Sequence, residues 1–164
     1  MQSDGMTDRL TPAQRSLVMS HIRSRDTKPE MAVRRMLHAM GFRYRLHRRD
    51  LPGTPDIVLP RRKAIILVNG CFFHGHECAS FRWPDSNRAF WQEKIRRNRE
   101  RDAATSAALM ADGWRVLTVW GCALKGPRRL DAGRLAAILA RFILGTDGCA
   151  VLSGQDCPEV PAPP

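Results

Sequence analysis

The chain has 164 residues, with 27 Lys plus Arg against 16 Asp plus Glu, a net charge of +11 and a pI near 10.7. That length suits one domain with a sizeable core, and a positive surplus so large belongs to proteins that meet phosphate, nucleic acid first. No stretch approaches the roughly 20 apolar residues of a membrane-spanning helix, and MQSDGMTDRL has no apolar run of signal-peptide type, so no membrane role and a cytoplasmic location are expected. In that compartment the five cysteines read as free thiols or metal ligands rather than bridges.

In chain order, residues 1–10 read as a flexible arm. Thr11-Pro12 is a helix start, with a cap residue followed by Pro at the first helical position, and the helix runs to about Arg23. Thr27-Lys28-Pro29-Glu30 repeats the signal as a capping box, and Met31, Val33, Leu37 and Met40 carry an apolar stripe to a stop at Gly41. FRYRLH, TPDIVLP and KAIILVN are then expected as strands, separated by Pro52-Gly53 and by Pro60-Arg61-Arg62. From Asn87 the apolar spacing turns helical until Gly113; WRVLTVW follows as a buried strand and Leu130 to Leu144 as a last helix. The chain after Gly145 has little apolar content and is expected to form a disordered tail, which places one working domain at 11–144.

Strand geometry gathers the chemistry. The segments around Ile57 and Ile66 should form a hairpin that sets Asp56 opposite Val68, and the strand-helix-strand unit that follows should be right-handed and parallel. Cys71 and Cys122 then lie just past neighbouring strand ends, the edge where open α/β sheets bind ligands. Cys71, His76, Cys78 and Cys122 could close a tetrahedral zinc site with His74 as a spare donor, although C-x4-H-x-C is not a common finger spacing. Buried free thiols are the alternative, which leaves the convergence of four donors without a reason.

Each candidate carboxylate has a structural alternative. A lone Pro-Asp is usually a turn, but Asp56 falls beside the metal-rich loop. Glu30 occupies the third helical position of a capping box and could do nothing else. On the helix over 87–112, Trp91, Ile95, Asn98, Asp102 and Leu109 share one face while Arg96, Arg97, Arg99 and Arg101 point elsewhere. A buried Asp is more often a salt-bridge acceptor than a catalyst, but Asp102 near Asp56 and His74 would also suit a Mg²⁺ site for phosphodiester hydrolysis. Phe72 and Phe73 would ordinarily be core; on this loop they also suit a wedge that enters a base stack.

RSLVMSHIRSRDTKPE, LPGTPD, VNGCFFHGHEC, FWQEKIRRNRERD and GWRVLTVWGCAL, in this order and spacing over about residues 10–144, closely resemble the very-short-patch-repair (Vsr) mismatch endonucleases. The resemblance implies a restriction-endonuclease-like α/β fold, a central mixed sheet flanked by helices. It implies an enzyme that nicks one strand of duplex DNA at a T:G mismatch, the product of 5-methylcytosine deamination. Asp56 would be the central Mg²⁺ ligand with the Val68 carbonyl beside it, and Glu30, His74 and Asp102 would hold metal-bound waters or move protons. Cys71, His76, Cys78 and Cys122 would hold a structural Zn²⁺. Phe72, Phe73 and Trp91, with Met19 and Ile22, would enter the DNA, and Arg96 and Arg97 are further candidates for DNA contact. The enzyme would act as a monomer, nucleoid-associated when on DNA, with general mismatch-repair proteins as further partners. Three positions depart from the family pattern, which has His at Asn69, Trp at Phe73 and Glu at Gly121. Asn69 cannot accept a proton. Two other classes therefore remain: a zinc-containing DNA-binding module without catalysis, and a hydrolase centred on the zinc itself.

Overall fold

The protein is described here by a computed structural model covering residues 11, 13, 14, 16, 17 and 25–155. Ala13, Gln14, Ser16 and Leu17 are helical, and the start at Thr11 is a reciprocal cap. The Gln14 N–H donates to Thr11 Oγ1 (3.2 Å) and the Thr11 N–H to Gln14 Oε1 (2.9 Å). Met19 and Ile22 lie outside the described residues.

Helix α1 spans Lys28–Ala39; the Thr27 hydroxyl accepts from the Glu30 N–H at 3.4 Å, and Gly41, at φ +82°, follows the C-cap Met40. Five strands follow in spatial order β1 to β5: Arg45–Leu46, Ile57–Leu59, Ala64–Asn69, Arg115–Trp120 and Cys149–Leu152. The first two pairings are antiparallel and the last two parallel, as the crossovers through helix α2 (Arg88–Ala111) and helix α4 (Ala132–Leu144) require. The expected strands 42–47 and 54–60 shrink to Arg45–Leu46 and Ile57–Leu59. A short helix α3, Gly121–Leu124, directly continues β4.

Alternation along the strands feeds two cores. Ile57, Leu59, Ala64, Ile66, Leu117 and Val119 pack on one side with Val33 and Leu37 of α1 and with Leu135, Leu139, Phe142 and Ile143 of α4. Val58, Ile65 and Val116 face the other way, toward Leu109 of α2 and Trp114. The result is a mixed sheet between helical layers, the expected fold class. The second core is small because α2 buries only Ile95 and Leu109. Its middle instead stands over the C-terminal ends of β3 and β4, half-burying Trp91, Asn98 and Asp102.

Two expectations are corrected. Cys149–Leu152, assigned by composition to a disordered tail, pair in parallel with β4 from Val116↔Cys149 to Val119↔Leu152. The run CAVL is apolar enough for a short edge strand, a signal diluted when averaged over residues 145–164. The β2–β3 hairpin runs in the register Ile57↔Ile66, which extended by one position sets Asp56 opposite Leu67 instead of Val68.

Candidate active site and metal centre

The C-terminal end of β3 opens into a cleft of about 380 Å³ whose lining includes Arg25, His47, Asp56, Val68, Asn69, His74, Arg101 and Asp102. Asp56 enters it from just before β2, fixed by the Val68 N–H, which donates to Oδ2 at 2.8 Å. The side chain leans one residue along β3, so the contact with Val68 survives the shifted register, but through the amide hydrogen. Burial pushes the Asp56 carboxyl above the ordinary carboxylate range and the charge of Glu30 adds to this; the Val68 N–H, His47 and Arg34 pull the other way. A desolvated carboxylate with one N–H on one oxygen suits a hard cation on the other.

His74, the expected spare zinc donor, turns to α2 instead, where Nδ1 is 2.5 Å from Asp102 Oδ2. The carboxylate holds the Nδ1 hydrogen and leaves Nε2 available for proton transfer. The Asn98 amide donates to the Phe73 carbonyl at 2.7 Å, tying α2 to the same loop. Asn69 lines the cleft next to His74. Glu30 does more than complete a cap: it is 2% exposed, ion-paired with Arg34 and 3.1 Å from His47 Nε2. Asp26, Glu30 and His47 bring possible metal donors within 4.8 Å of one another, but the buried Arg34 guanidinium is lodged among them and already supplies the cation. Arg34 stands one turn after Glu30 on α1, a spacing readable in the sequence, whereas the approach of His47 from another part of the chain carried no such signal.

Cys71, His76, Cys78 and Cys122 bring all four donor atoms within 4.8 Å of one another, a cluster that could hold a metal ion. Cys122 Sγ is 3.6 Å from His76 Nδ1, and the His76 ring stacks on Trp120 at 4.3 Å and 8°. The Cys122 N–H donates to Cys71 Sγ and the Gly154 N–H to Cys122 Sγ, both at 3.3 Å, as is usual around sulfurs that carry negative charge. Cys71 is held below the usual thiol range, chiefly by its hydrogen bond with Cys122, while Cys122 is pushed up to about 11 by that same pairing and by burial. Gly154 was missed in the sequence because it lay in the supposed tail; a Cβ there would come within 2.7 Å of the Cys122 and Arg128 carbonyls. Gly75, at φ +63°, lets the ligand loop touch α2, since a Cβ would lie 2.4 Å from Ile95.

The same loop carries the aromatics. Phe72 meets Phe73 (5.2 Å) and Trp91 (4.9 Å), and all three are only half-buried. Arg96 and Arg97 are exposed and ion-paired with Glu93, and Arg96 also with Glu100.

Residues 7–80 match the family model described as "DNA mismatch endonuclease Vsr". The type II nicking enzyme V.XorIIP of Xanthomonas oryzae pv. oryzae is 52% identical over 134 residues, which is 82% of this chain and 98% of that protein. The DNA mismatch endonuclease Vsr of Escherichia coli K12 is 38% identical over 150 residues, 92% of this chain and 96% of its own. Among solved structures, the catalytic domain of the homing endonuclease I-Bth0305I aligns with 72% of this chain and 95% of its own, with TM-score 0.41 and 21% identity. Relatives at this identity and coverage settle the family: the chain belongs to the Vsr DNA mismatch endonucleases and is a DNA endonuclease.

Proposed function

We propose that the enzyme nicks one strand of duplex DNA at T:G mismatches, by Mg²⁺-dependent hydrolysis centred on Asp56, in a fold braced by Zn²⁺. The observation that carries this reading is a single cleft that holds a desolvated carboxylate, Asp56, together with a carboxylate-oriented imidazole, His74. Asp56 would hold the Mg²⁺ with the Val68 carbonyl. That ion, when bound, supplies a Lewis acid for the phosphoryl oxygens. His74 moves the proton through Nε2, toward the leaving oxygen or from the attacking water, with Asp102 holding the other ring nitrogen. Glu30, buried against Arg34 and His47 outside the cleft lining, would act only indirectly, through the groups it holds. Phe72, Phe73 and Trp91 form the group that would enter the base stack, and the family resemblance adds Met19 and Ile22 to that role; Phe73 in place of Trp stacks with less area. Arg96 and Arg97 would exchange their glutamate partners for phosphates.

Zinc suits the cysteine cluster. Bonds of about 2.3 Å to sulfur and about 2.0 Å to nitrogen on a tetrahedron separate the donors by about 3.5–3.8 Å, which brackets the 3.6 Å between Cys122 Sγ and His76 Nδ1. Three thiolates and one imidazole close the coordination, which speaks against a hydrolase centred on zinc, where one position must stay open. The working domain would run from about residue 11 through β5, in a cytoplasmic monomer.

The deciding experiment incubates the protein with Mg²⁺ and duplexes that carry a T:G pair, another mismatch or none, and maps the products. A single-strand nick beside T:G alone is expected; uniform cutting of all duplexes, or tight binding without cutting, overturns the reading. A second expected result concerns His74 and Asp102. His74→Ala and Asp102→Asn should each slow nicking by about a hundredfold, the scale of general acid–base catalysis. The double variant should be little slower than the slower single one, because the pair acts as a unit. Multiplied losses in single-turnover rates would mean the two residues work separately.

A further inference from the structure

Asn69 removes a proton-accepting group from the cleft, and the imidazole of His47 lies in the same lining. Its backbone is left-handed, φ +46°, a conformation uncommon outside Gly, with Asn, Asp and His its commonest other occupants. The His47 N–H donates to the Asp56 carbonyl at 3.4 Å, so the backbone ties the ring to the catalytic carboxylate's own residue. Nε2 is 2.8 Å from Arg34 Nη2 and 3.1 Å from Glu30 Oε1. A guanidinium keeps its protons, so a nitrogen-to-nitrogen contact of this length makes Nε2 the acceptor. The two hydrogens of Nη2 are then divided between the Glu30 carboxylate and the His47 ring. With Nε2 accepting from Arg34, the ring hydrogen falls on Nδ1. The Arg34 guanidinium is held in place: the residue is 6% exposed, and its side chain is bound to Asp26 at 2.6 Å and ion-paired with Glu30.

We propose that His47 is a phosphate-binding residue that donates Nδ1–H to a non-bridging oxygen of the scissile phosphodiester, held in place by Arg34 and Glu30. The proposal rests on the reading of the Asp56 cleft as the site of phosphodiester hydrolysis. In this arrangement His47 acts as a hydrogen-bond donor. Its part is to meet, with a donor already aimed, the negative charge that grows on the phosphate.

The test compares wild type, His47→Gly and His47→Asn in single-turnover nicking of a T:G duplex in Mg²⁺. Glycine keeps the left-handed backbone and deletes the ring; asparagine tolerates the same backbone and carries an N–H close to the place of Nδ1. His47→Gly should nick about a hundredfold more slowly, the usual loss for one such donor, while its affinity for the same duplex in EDTA falls far less than its rate. His47→Asn should restore most of that loss. Duplexes with sulfur in place of either non-bridging oxygen at the scissile phosphate give a readout that mere structural damage would not move. One diastereomer should slow the wild type more than it slows His47→Gly, because sulfur is a poor acceptor for a donor that only the wild type has. The proposal is overturned by a glycine variant at the wild-type rate, by a folded asparagine variant as slow as the glycine one, or by thio effects equal in wild type and His47→Gly. A wild-type protein that does not nick T:G at all would overturn the proposed function together with it.

Discussion

Asp56→Asn should lower nicking of a T:G duplex by on the order of a hundredfold or more, with mismatch binding in EDTA and the metal content of the cysteine cluster unchanged. The substitution keeps the side chain's size and the place where Val68 N–H donates, and removes only the charge. Mg²⁺ then loses its main ligand, and the developing charge on the phosphate loses what that ion contributes. The same variant should be the more stable protein when no divalent metal is present. Burial raises the Asp56 carboxyl in the folded state, so ionising it works against folding. Below the ordinary carboxylate range, about pH 4, the group is protonated in both folded and unfolded chains and the two proteins should melt together. As pH rises through the raised folded value the wild type loses stability that the variant keeps, and a gap in melting temperature in EDTA should open toward neutral pH. Added Mg²⁺ should close it by binding the folded wild type. Nicking at near the wild-type rate by Asp56→Asn would show that the catalytic centre lies elsewhere.

Cys122→Ser should leave a chain that fails to fold or aggregates, whereas metal analysis of the wild type should return one zinc per chain. Apparent binding energies of structural zinc are about 10–16 kcal/mol, as large as the whole stability of a typical domain, about 5–15 kcal/mol. Cys122 sits where three parts of the chain meet: its own helix α3, the loop bearing Cys71, His76 and Cys78, and the turn after β5 that supplies the Gly154 N–H. Losing the ion would leave three sulfurs and an imidazole crowded together and would untie β5 from the sheet edge. Cys149→Ser, on β5 but outside the cluster, should leave circular dichroism and zinc content as in the wild type. A zinc-free protein with native circular dichroism and full nicking activity would rule out the structural role.

Much of this was legible residue by residue. Thr27, Pro29 and Gly41 set the bounds of α1 through capping and backbone freedom alone, and the β-branched apolar runs in KAIILVN and WRVLTVW marked the two central strands. The crossover rule places Cys71 and Cys122 at one sheet edge, where the four Cys and His donors do come within 4.8 Å of one another. The hairpin register was off by one position because the 3₁₀ turn Pro60–Arg62, ending in Lys63 at φ +49°, is tighter than a generic loop. β5 was lost to averaging, since its four residues derive their stability from β4 and not from their own composition.

The sequence by itself determined the charge that suits DNA, the order of the main elements, the four Cys and His side chains that cluster and the carboxylate that enters the cleft. These are properties of local spacing, or of a handedness rule that holds for any chain. What only the tertiary structure decided is how the polar groups are paired. His74 belongs to Asp102 and not to the metal cluster, Glu30 belongs to Arg34 and His47, and Gly154 serves the Cys122 sulfur. Apart from Glu30 and Arg34, one turn apart on α1, such pairings join residues far apart in the chain. Burial selects them, because a charge or donor removed from water must find a partner among whatever side chains the fold has brought within about 3 Å, and no periodicity along the sequence records that choice.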